Sequence, residues 1–497
     1  MGEIKKQGIS NAIISYIGIA IGFINLLVLQ PILLSPEEIG LTRILFSFSA
    51  ILSTLIPLGM INVIIRFFPV FENKEKRHYG FFGFSLLIPS IGFLIVSALL
   101  FLSKNYFVSK YNNQSPLFAE YFNYIFPLSF FLAFTSVLGS YMAALLKTSF
   151  ASFVNDIVTR ILNVLVFSIY FLKLINIDAM IRLFVGIYFL QTLSLLIYIV
   201  VIDKPSLKID FTYFKEKKVA VIIQYGLLFS IGVMSSIGLR YLDSVIIGIY
   251  LPLSAVGVYS ICAFIPTVIE VPLSAIEKIS NPKIAKNWEI NDLTEIGKIY
   301  SESVRYLSLA GSFIFIMIFI NIENLLKLLP IDFHDSYNVV KVIAIGALIN
   351  ISTGINTSII FFSKKYKMGL LFLVVLFIST IIFDVVLIPR IGVIGAAIAT
   401  ALSAILYNLL KYFYVKIKFN LNPFNKNIIT LLMAVLVCLI ADFFIPSVTS
   451  IIVLDMIYRA IISSTIFIFL VFYFKLFDLS ELTVFLKKNN KLGTKQS

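Results

Sequence analysis

Charge is scarce in this sequence. Only 13% of its 497 residues are Asp, Glu, Lys or Arg, whereas 59% are hydrophobic and the mean hydropathy is +0.99. One soluble core cannot bury that much apolar surface, so the composition excludes a soluble globular protein and implies a polytopic membrane protein. Cysteine is nearly absent as well. Cys262 and Cys438 stand far apart in apolar runs, a spacing that suggests neither a disulfide framework nor a thiolate metal site and leaves the redox compartment open. Long polar segments are missing too: the stretches near 104 to 120 and 321 to 341 stay under about 25 residues, too short for a catalytic domain. "GVIGAAIA" at 392 to 399 has no strand and no Lys-Thr pair beside it, so it is not a nucleotide loop; its small residues suit close helix packing in lipid. "DFHDSY" at 332 to 337 brings Asp332, His334 and Asp335 together, but in a short loop that reads as a solvated turn rather than a metal site. No cofactor and no metal are expected.

What the sequence has in abundance is charge-poor runs of about 20 residues, the length that crosses a bilayer as helix. Fourteen are predicted, at 9–33, 41–65, 79–103, 121–146, 152–175, 179–202, 219–250, 254–280, 299–322, 338–362, 367–388, 391–415, 427–446 and 451–474. The first follows Lys5 and Lys6 and is too long for a signal peptide. The segment 281 to 298, with Trp288 among alternating charges, reads as a short interfacial helix. With the N-terminus inside, roughly 30 of the 40 Lys and Arg residues fall on inner segments against about 9 outside, which sets both termini in the cytoplasm. The same asymmetry accounts for the net charge of +14 as a cytoplasmic face beside anionic membrane lipid, with no nucleic acid required.

An internal repeat is legible. "LLSPEEIGLTRI" at 33 to 44 aligns without gaps on "YLPLSAVGVYSI" at 250 to 261, pairing Leu34 with Leu251, Gly40 with Gly257 and Ile44 with Ile261. The offset of 217 also carries Lys147 onto Lys364 and Lys173 onto Arg390. The spacing predicts two six-helix lobes related by a pseudo-twofold along the membrane normal. Residues 1–202 form the first lobe, 203–218 a cytoplasmic linker, 219–418 the second lobe, and 419–497 two further helices with a basic tail.

At this point the residues resemble a family. "LLSPEEIGLTRILFSFSAILSTLIPLGMINVIIRFFP" at 33 to 69, "YLDSVIIGIYLPLSAVGVYSIC" at 241 to 262 and "IIFDVVLIPRIGVIGAAIATALSAI" at 381 to 405 are similar to the polysaccharide-transporter branch of the multidrug/oligosaccharidyl-lipid/polysaccharide (MOP) exporter superfamily. The likeness spans roughly residues 5 to 480. An asparagine often stands in the family where this chain has Asp384. The resemblance implies an all-α membrane transporter, not an enzyme. It would be a flippase moving an undecaprenyl-pyrophosphate-linked oligosaccharide across a bacterial cytoplasmic membrane for surface polysaccharide such as lipopolysaccharide, by rocking two lobes around a cationic cleft. A monomer is expected, with H+ or Na+ as coupling ion. The alternative is an ion-coupled small-molecule exporter of the multidrug branch.

Charges inside the predicted spans are the candidate site, because each costs roughly 2.5 to 3.5 kcal/mol on insertion scales. Arg240 and Asp243 share one face, ~18 and ~14 Å inward of the turn at Pro252. They either neutralise each other as a structural pair, or serve a phosphate or sugar and a cation respectively. Asp156 and Arg160, at i and i+4, allow the same two readings. Glu270, with no basic residue within a turn, is suited to exchanging a proton. Asp384 either faces the same cavity as Asp243 or pairs with Arg390. Arg66 either snorkels to the headgroups or grips a pyrophosphate. The substrate candidates are therefore Arg240, Arg66 and Arg160, and the ion-coupling candidates Asp243, Glu270, Asp384 and Asp156. Tyr16 and Tyr241 are the aromatics considered for stacking on sugar rings, though nothing singles them out.

Overall fold

The computed structural model describes residues 2–216, 219–446 and 451–476, and every regular element among them is a helix. Besides a short helix at Phe211–Glu216, they are in chain order α1 Ile13–Leu33, α2 Pro36–Leu55, α3 Met60–Phe71, α4 Phe81–Asn112, α5 Pro116–Ala144, α6 Thr148–Phe171, α7 Ile177–Asp203 and α8 Val219–Tyr250. There follow α9 Leu253–Glu289, α10 Leu293–Lys327, α11 Ile331–Ser352, α12 Asn356–Phe362, α13 Tyr366–Ile391, α14 Val393–Phe419, α15 Lys426–Phe443 and α16 Ile452–Tyr473. Among the described residues twelve helices are long and apolar enough to cross a bilayer, or up to 14 if each of two bent pairs counts as one crossing. The bends are 50° within α8, between Ser235 and Ile237, and 52° between α11 and α12. The protein is thus an all-α, multi-pass membrane protein.

Local chemistry explains where the helices stop. At the start of α2, Ser35 Oγ accepts from Glu38 N–H (3.3 Å) while the Ser35 N–H donates to Glu38 Oε2 (2.8 Å), a reciprocal cap with Pro36 in the first turn. The predicted span 41–65 is interrupted: Pro57 is followed by Leu58 and Gly59 at φ 47° and 82°, and α3 begins anew. Gly59 has a second reason to be glycine, since a Cβ there would lie 1.9 Å from the Gly226 carbonyl oxygen on α8.

The predicted interfacial helix at 281 to 298 does not exist as a separate element. α9 runs on to Glu289, and α10 starts at Leu293 after a turn in which Asn291 adopts φ 55° and Asp292 accepts the Glu295 N–H (3.0 Å). The mixed charges there decorate the ends of two long helices. α9 itself is broken inside, where a 3₁₀ stretch, Ile265–Glu270, contains Pro266 and is followed by Pro272. The loop expected near Lys104 is likewise helix, because α4 continues to Asn112.

Chain contacts divide the molecule into two compact units, residues 1–262 with 370–403, and residues 263–369 with 404–497. The first has an aromatic core in which Phe68, Phe71, Phe81, Tyr141 and Phe214 are all buried. Above it the chain makes a turn of consecutive positive-φ residues, Arg77, His78, Tyr79 and Gly80. Buried His78 holds this turn: its Nδ1 accepts the Asn73 N–H (3.0 Å) and its Nε2 meets Asp203 Oδ1 (3.0 Å), while Tyr141 donates to Asp203 Oδ2 (2.9 Å). Tyr79 stacks on Tyr213 at 3.7 Å, tying the 203–216 segment to the same turn.

Within this unit the repeated motif makes a reciprocal contact. A Cβ on Gly40 would lie 1.9 Å from the Leu253 carbonyl oxygen, and one on Gly257 would lie 2.0 Å from that of Pro36. Pro36 and Leu253 are themselves related by the offset of 217. The second unit is centred on Ile269, Leu307, Phe315, Ile316 and Ile351. There α15 and α16 are pinned by Arg459, which pairs with Asp442 and Asp455 at 2.8 Å each, and by Asn324 of α10, which donates to Asp455 at 2.7 Å.

Candidate functional site

Asp243 is turned away from its sequence neighbour. Asp243 is buried on α8 whereas Arg240 is exposed, and the ion pair suggested by their spacing does not form. Three residues along a helix leave two side chains about 60° apart, enough to send one inward and the other outward. The partners of Asp243 come from other helices. Its Oδ2 accepts from Thr400 Oγ1 on α14 (2.6 Å) and from the Tyr259 hydroxyl on α9, and those two hydroxyls lie 3.2 Å apart.

Asp384 on α13 completes the group. It lies against Asp243 with 0% exposure, and among the described residues it pairs with no arginine. Among the described residues no hydroxyl or amide donates to either of its carboxylate oxygens or to Asp243 Oδ1, and the two carboxyl groups face each other within hydrogen-bond reach. Two carboxylates buried side by side cannot both stay charged without a counter-ion between them. The arrangement therefore suits a proton or a small hard cation, with carboxylate and hydroxyl oxygens as its donors.

The remaining candidates separate into different settings. Arg160 on α6 donates to the Gly18 carbonyl oxygen of α1, and Gly18 and Gly22 supply the space that its helix needs. Asp156 occupies a π-helical turn, Val154–Val158, and packs on Gly18 rather than pairing directly with Arg160. Arg66 is exposed on α3 and lies 4.3 Å from the centre of the Tyr225 ring. In the second unit, Glu270 accepts from Asn350 Nδ2 (2.7 Å). Tyr16 is 64% exposed; Tyr241 packs edge-on against Phe46, 5.5 Å between centroids.

Several polar residues at these places escaped the sequence reading. Arg43, half-buried on α2, bonds Gln30 Oε1 (3.2 Å) and lies near Tyr188 and Tyr241. Lys411 is 3% exposed on α14, inside a run taken as charge-poor. Both could have been found by treating any charge within a span as a site by default. Tyr259 and Thr400 carry no charge, and their spacing signals nothing.

The comparisons with known proteins bear on this architecture. No family model matches the chain. An uncharacterised membrane protein of Methanocaldococcus jannaschii is 21% identical over 478 residues, covering 91% of this chain and 92% of its own length. Among solved structures, the lipid II flippase MurJ in an inward closed conformation superposes with a TM-score of 0.66 at 16% identity, over 92% of this chain and 98% of that one. The chain has the fold of a MOP-superfamily transporter. A multidrug resistance MATE family transporter of the MOP superfamily, in its inward-facing conformation, gives 0.62 at 12% identity, over 78% of this chain and 91% of its own. In this MOP fold the Asp243 and Asp384 carboxylates belong to α8 and α13, with Tyr259 from α9 and Thr400 from α14 closing the group.

Proposed function

We propose that this protein is an ion-coupled flippase that carries a polyprenyl-pyrophosphate-linked oligosaccharide, undecaprenyl-linked in a bacterium, between the leaflets of the cytoplasmic membrane. The observation that carries the coupling is the buried, mutually facing Asp243–Asp384 carboxyl pair, an arrangement that suits a proton or Na+ between the two groups. Lipid as cargo is supported by the similarity to MurJ, which extends over 98% of that flippase. Two six-helix lobes with the boundaries drawn from the repeat would supply alternating access, and the reciprocal Gly40 and Gly257 contacts favour them. In this reading exposed Arg240 meets the anionic headgroup, Arg66 engages it near the inner end of its span, and Arg160 braces α1 through Gly18.

The test is transfer of labelled lipid-linked oligosaccharide across proteoliposome membranes under imposed Na+ and H+ gradients. Gradient-driven transfer that disappears in Asp384→Asn supports the reading, and transfer indifferent to both gradients refutes the coupling. The similarity to a MATE transporter favours a second reading, an ion-coupled small-molecule exporter. Efflux of a lipophilic cation from the same vesicles, with no lipid transfer, would select it.

A further inference from the structure

The sequence reading makes 203–218 a cytoplasmic linker, yet its described part, 203–216, is no loose tether. Phe214 is buried between Phe71 and Phe84, with ring centroids 4.6 and 4.7 Å away. The Asp210 N–H donates to the Tyr79 carbonyl and the Tyr213 hydroxyl to that of Val70, at 3.1 Å each. Gly80 and Gly83 admit the segment's backbone: a Cβ on them would lie 2.1 Å from the Lys208 carbonyl oxygen and 2.2 Å from that of Leu207, respectively. Asp210 Oδ1 then accepts the Tyr213 N–H (3.1 Å) and starts the helix Phe211–Glu216.

Backbone held this firmly cannot turn its outer side chains inward. Leu207 is 68% and Phe211 71% exposed. In water, both would forgo the transfer energy that burial brings. They follow directly on the bilayer-facing end of α7, where Val200, Val201 and Ile202 are exposed too. That continuity places the segment at the membrane edge and selects lipid over a soluble protein as what covers the two side chains.

Cations border the apolar pair. Lys204 and Lys208 are exposed on the segment itself, and Lys74, Lys76 and Arg77 on the turn against which it is docked. The exposed carboxylates of the same two stretches are Glu72, Glu75 and Asp210, the last engaged as the helix cap, so the balance is positive. Lys76 stands 5.2 Å from the centre of the Tyr79 ring, which is itself stacked on Tyr213. Large apolar side chains beside lysines suit the headgroup layer, where the former meet acyl chains and the latter meet phosphates.

We propose that residues 203–216 are a membrane-interface anchor: Leu207 and Phe211 enter the leaflet beside them, cytoplasmic under the predicted topology, and Lys204 and Lys208 bind the headgroups of anionic phospholipid. The partner is lipid of the bilayer and not transported cargo, so the inference stands apart from the flippase reading.

The native cysteines are both buried, so a nitroxide thiol label can be directed to Leu207→Cys or Phe211→Cys in the full chain. Both positions are exposed, and an unchanged melting temperature is the check that neither substitution disturbs the fold. Power-saturation EPR in nanodiscs compares collisions with oxygen, which concentrates in lipid, and with a nickel chelate, which stays in water. Both labels are expected to favour oxygen in phosphatidylcholine, and added phosphatidylglycerol is expected to raise the oxygen-to-nickel ratio by about twofold. Lys204→Gln with Lys208→Gln, built into each labelled chain, is expected to abolish that rise and keep the preference for oxygen. A nickel preference at either position overturns the proposal. An oxygen preference indifferent to phosphatidylglycerol overturns anionic lipid as the partner, and so does a rise that survives loss of both lysines.

Discussion

At the scale of single residues, the decisive fact is which way a charge faces. Arg240 and Asp243 invite pairing by spacing, yet Asp243 takes hydroxyls from Tyr259 and Thr400 and leaves Arg240 exposed. Arg240→Ala is therefore expected to leave membrane abundance and melting temperature unchanged, because no buried partner loses its counter-charge. A large drop in abundance, scored by immunoblot, would show that Arg240 braces the fold after all. Thr400→Val removes one donor to a buried carboxylate and is expected to cost about 1 to 3 kcal/mol, seen as a lower melting temperature. Asp243→Asn combined with Asp384→Asn removes the paired charges without changing shape. Its expected result is normal abundance with loss of gradient-driven transfer.

Elements are held by backbone approach and by a few buried polar ties. Gly40 and Gly257 let α2 and the start of α9 approach with no side chain between them. A methyl group at either glycine meets a carbonyl that cannot rotate away, so Gly40→Ala and Gly257→Ala are each expected to cost about 1 to 3 kcal/mol. The readout is the melting temperature in detergent, and two variants that melt like the wild type would contradict the close approach. The turn at 77 to 80 depends on Asp203 in a similar way. Asp203→Ala strands both His78 Nε2 and the Tyr141 hydroxyl, so the expected loss is about 1 to 3 kcal/mol for each orphaned group, with faster proteolysis of the 203–216 segment. Asp203→Asn keeps an acceptor for Tyr141 and is expected to lose less.

For the whole molecule, the Lys and Arg distribution predicts both termini in the cytoplasm. A reporter active only in the cytoplasm, fused after Ser497, is expected to be active; silence there, with activity from a reporter that works only outside, would reverse the topology. Counting each bent pair as one crossing yields 14 spans, an even number that agrees with this expectation. Membrane residence, helical class and most crossings were legible because twenty consecutive apolar residues have one stable solution in lipid, a helix that satisfies its own backbone. The breaks were not. Leu58 and Gly59 interrupt one predicted span, and the supposed interfacial helix proved to be the meeting of α9 and α10, because local caps and turns decide such points within a continuous run.

The sequence by itself determined that the protein lives in the bilayer and that its charges there are few and each needs a reason, and it offered the 217-residue offset as the basis for expecting a repeat. Each conclusion rests on composition or spacing, which hydrophobic transfer reads without knowing the fold. Only the tertiary structure decided which of those charges meet. Asp243 and Asp384 are 141 residues apart in the chain and come together on helices α8 and α13; Lys411 finds Glu277 and Glu270 from opposite ends of the second half. Helical spacing records the face a residue occupies on its own helix, whereas the partner on that face is chosen by how helices distant in sequence pack.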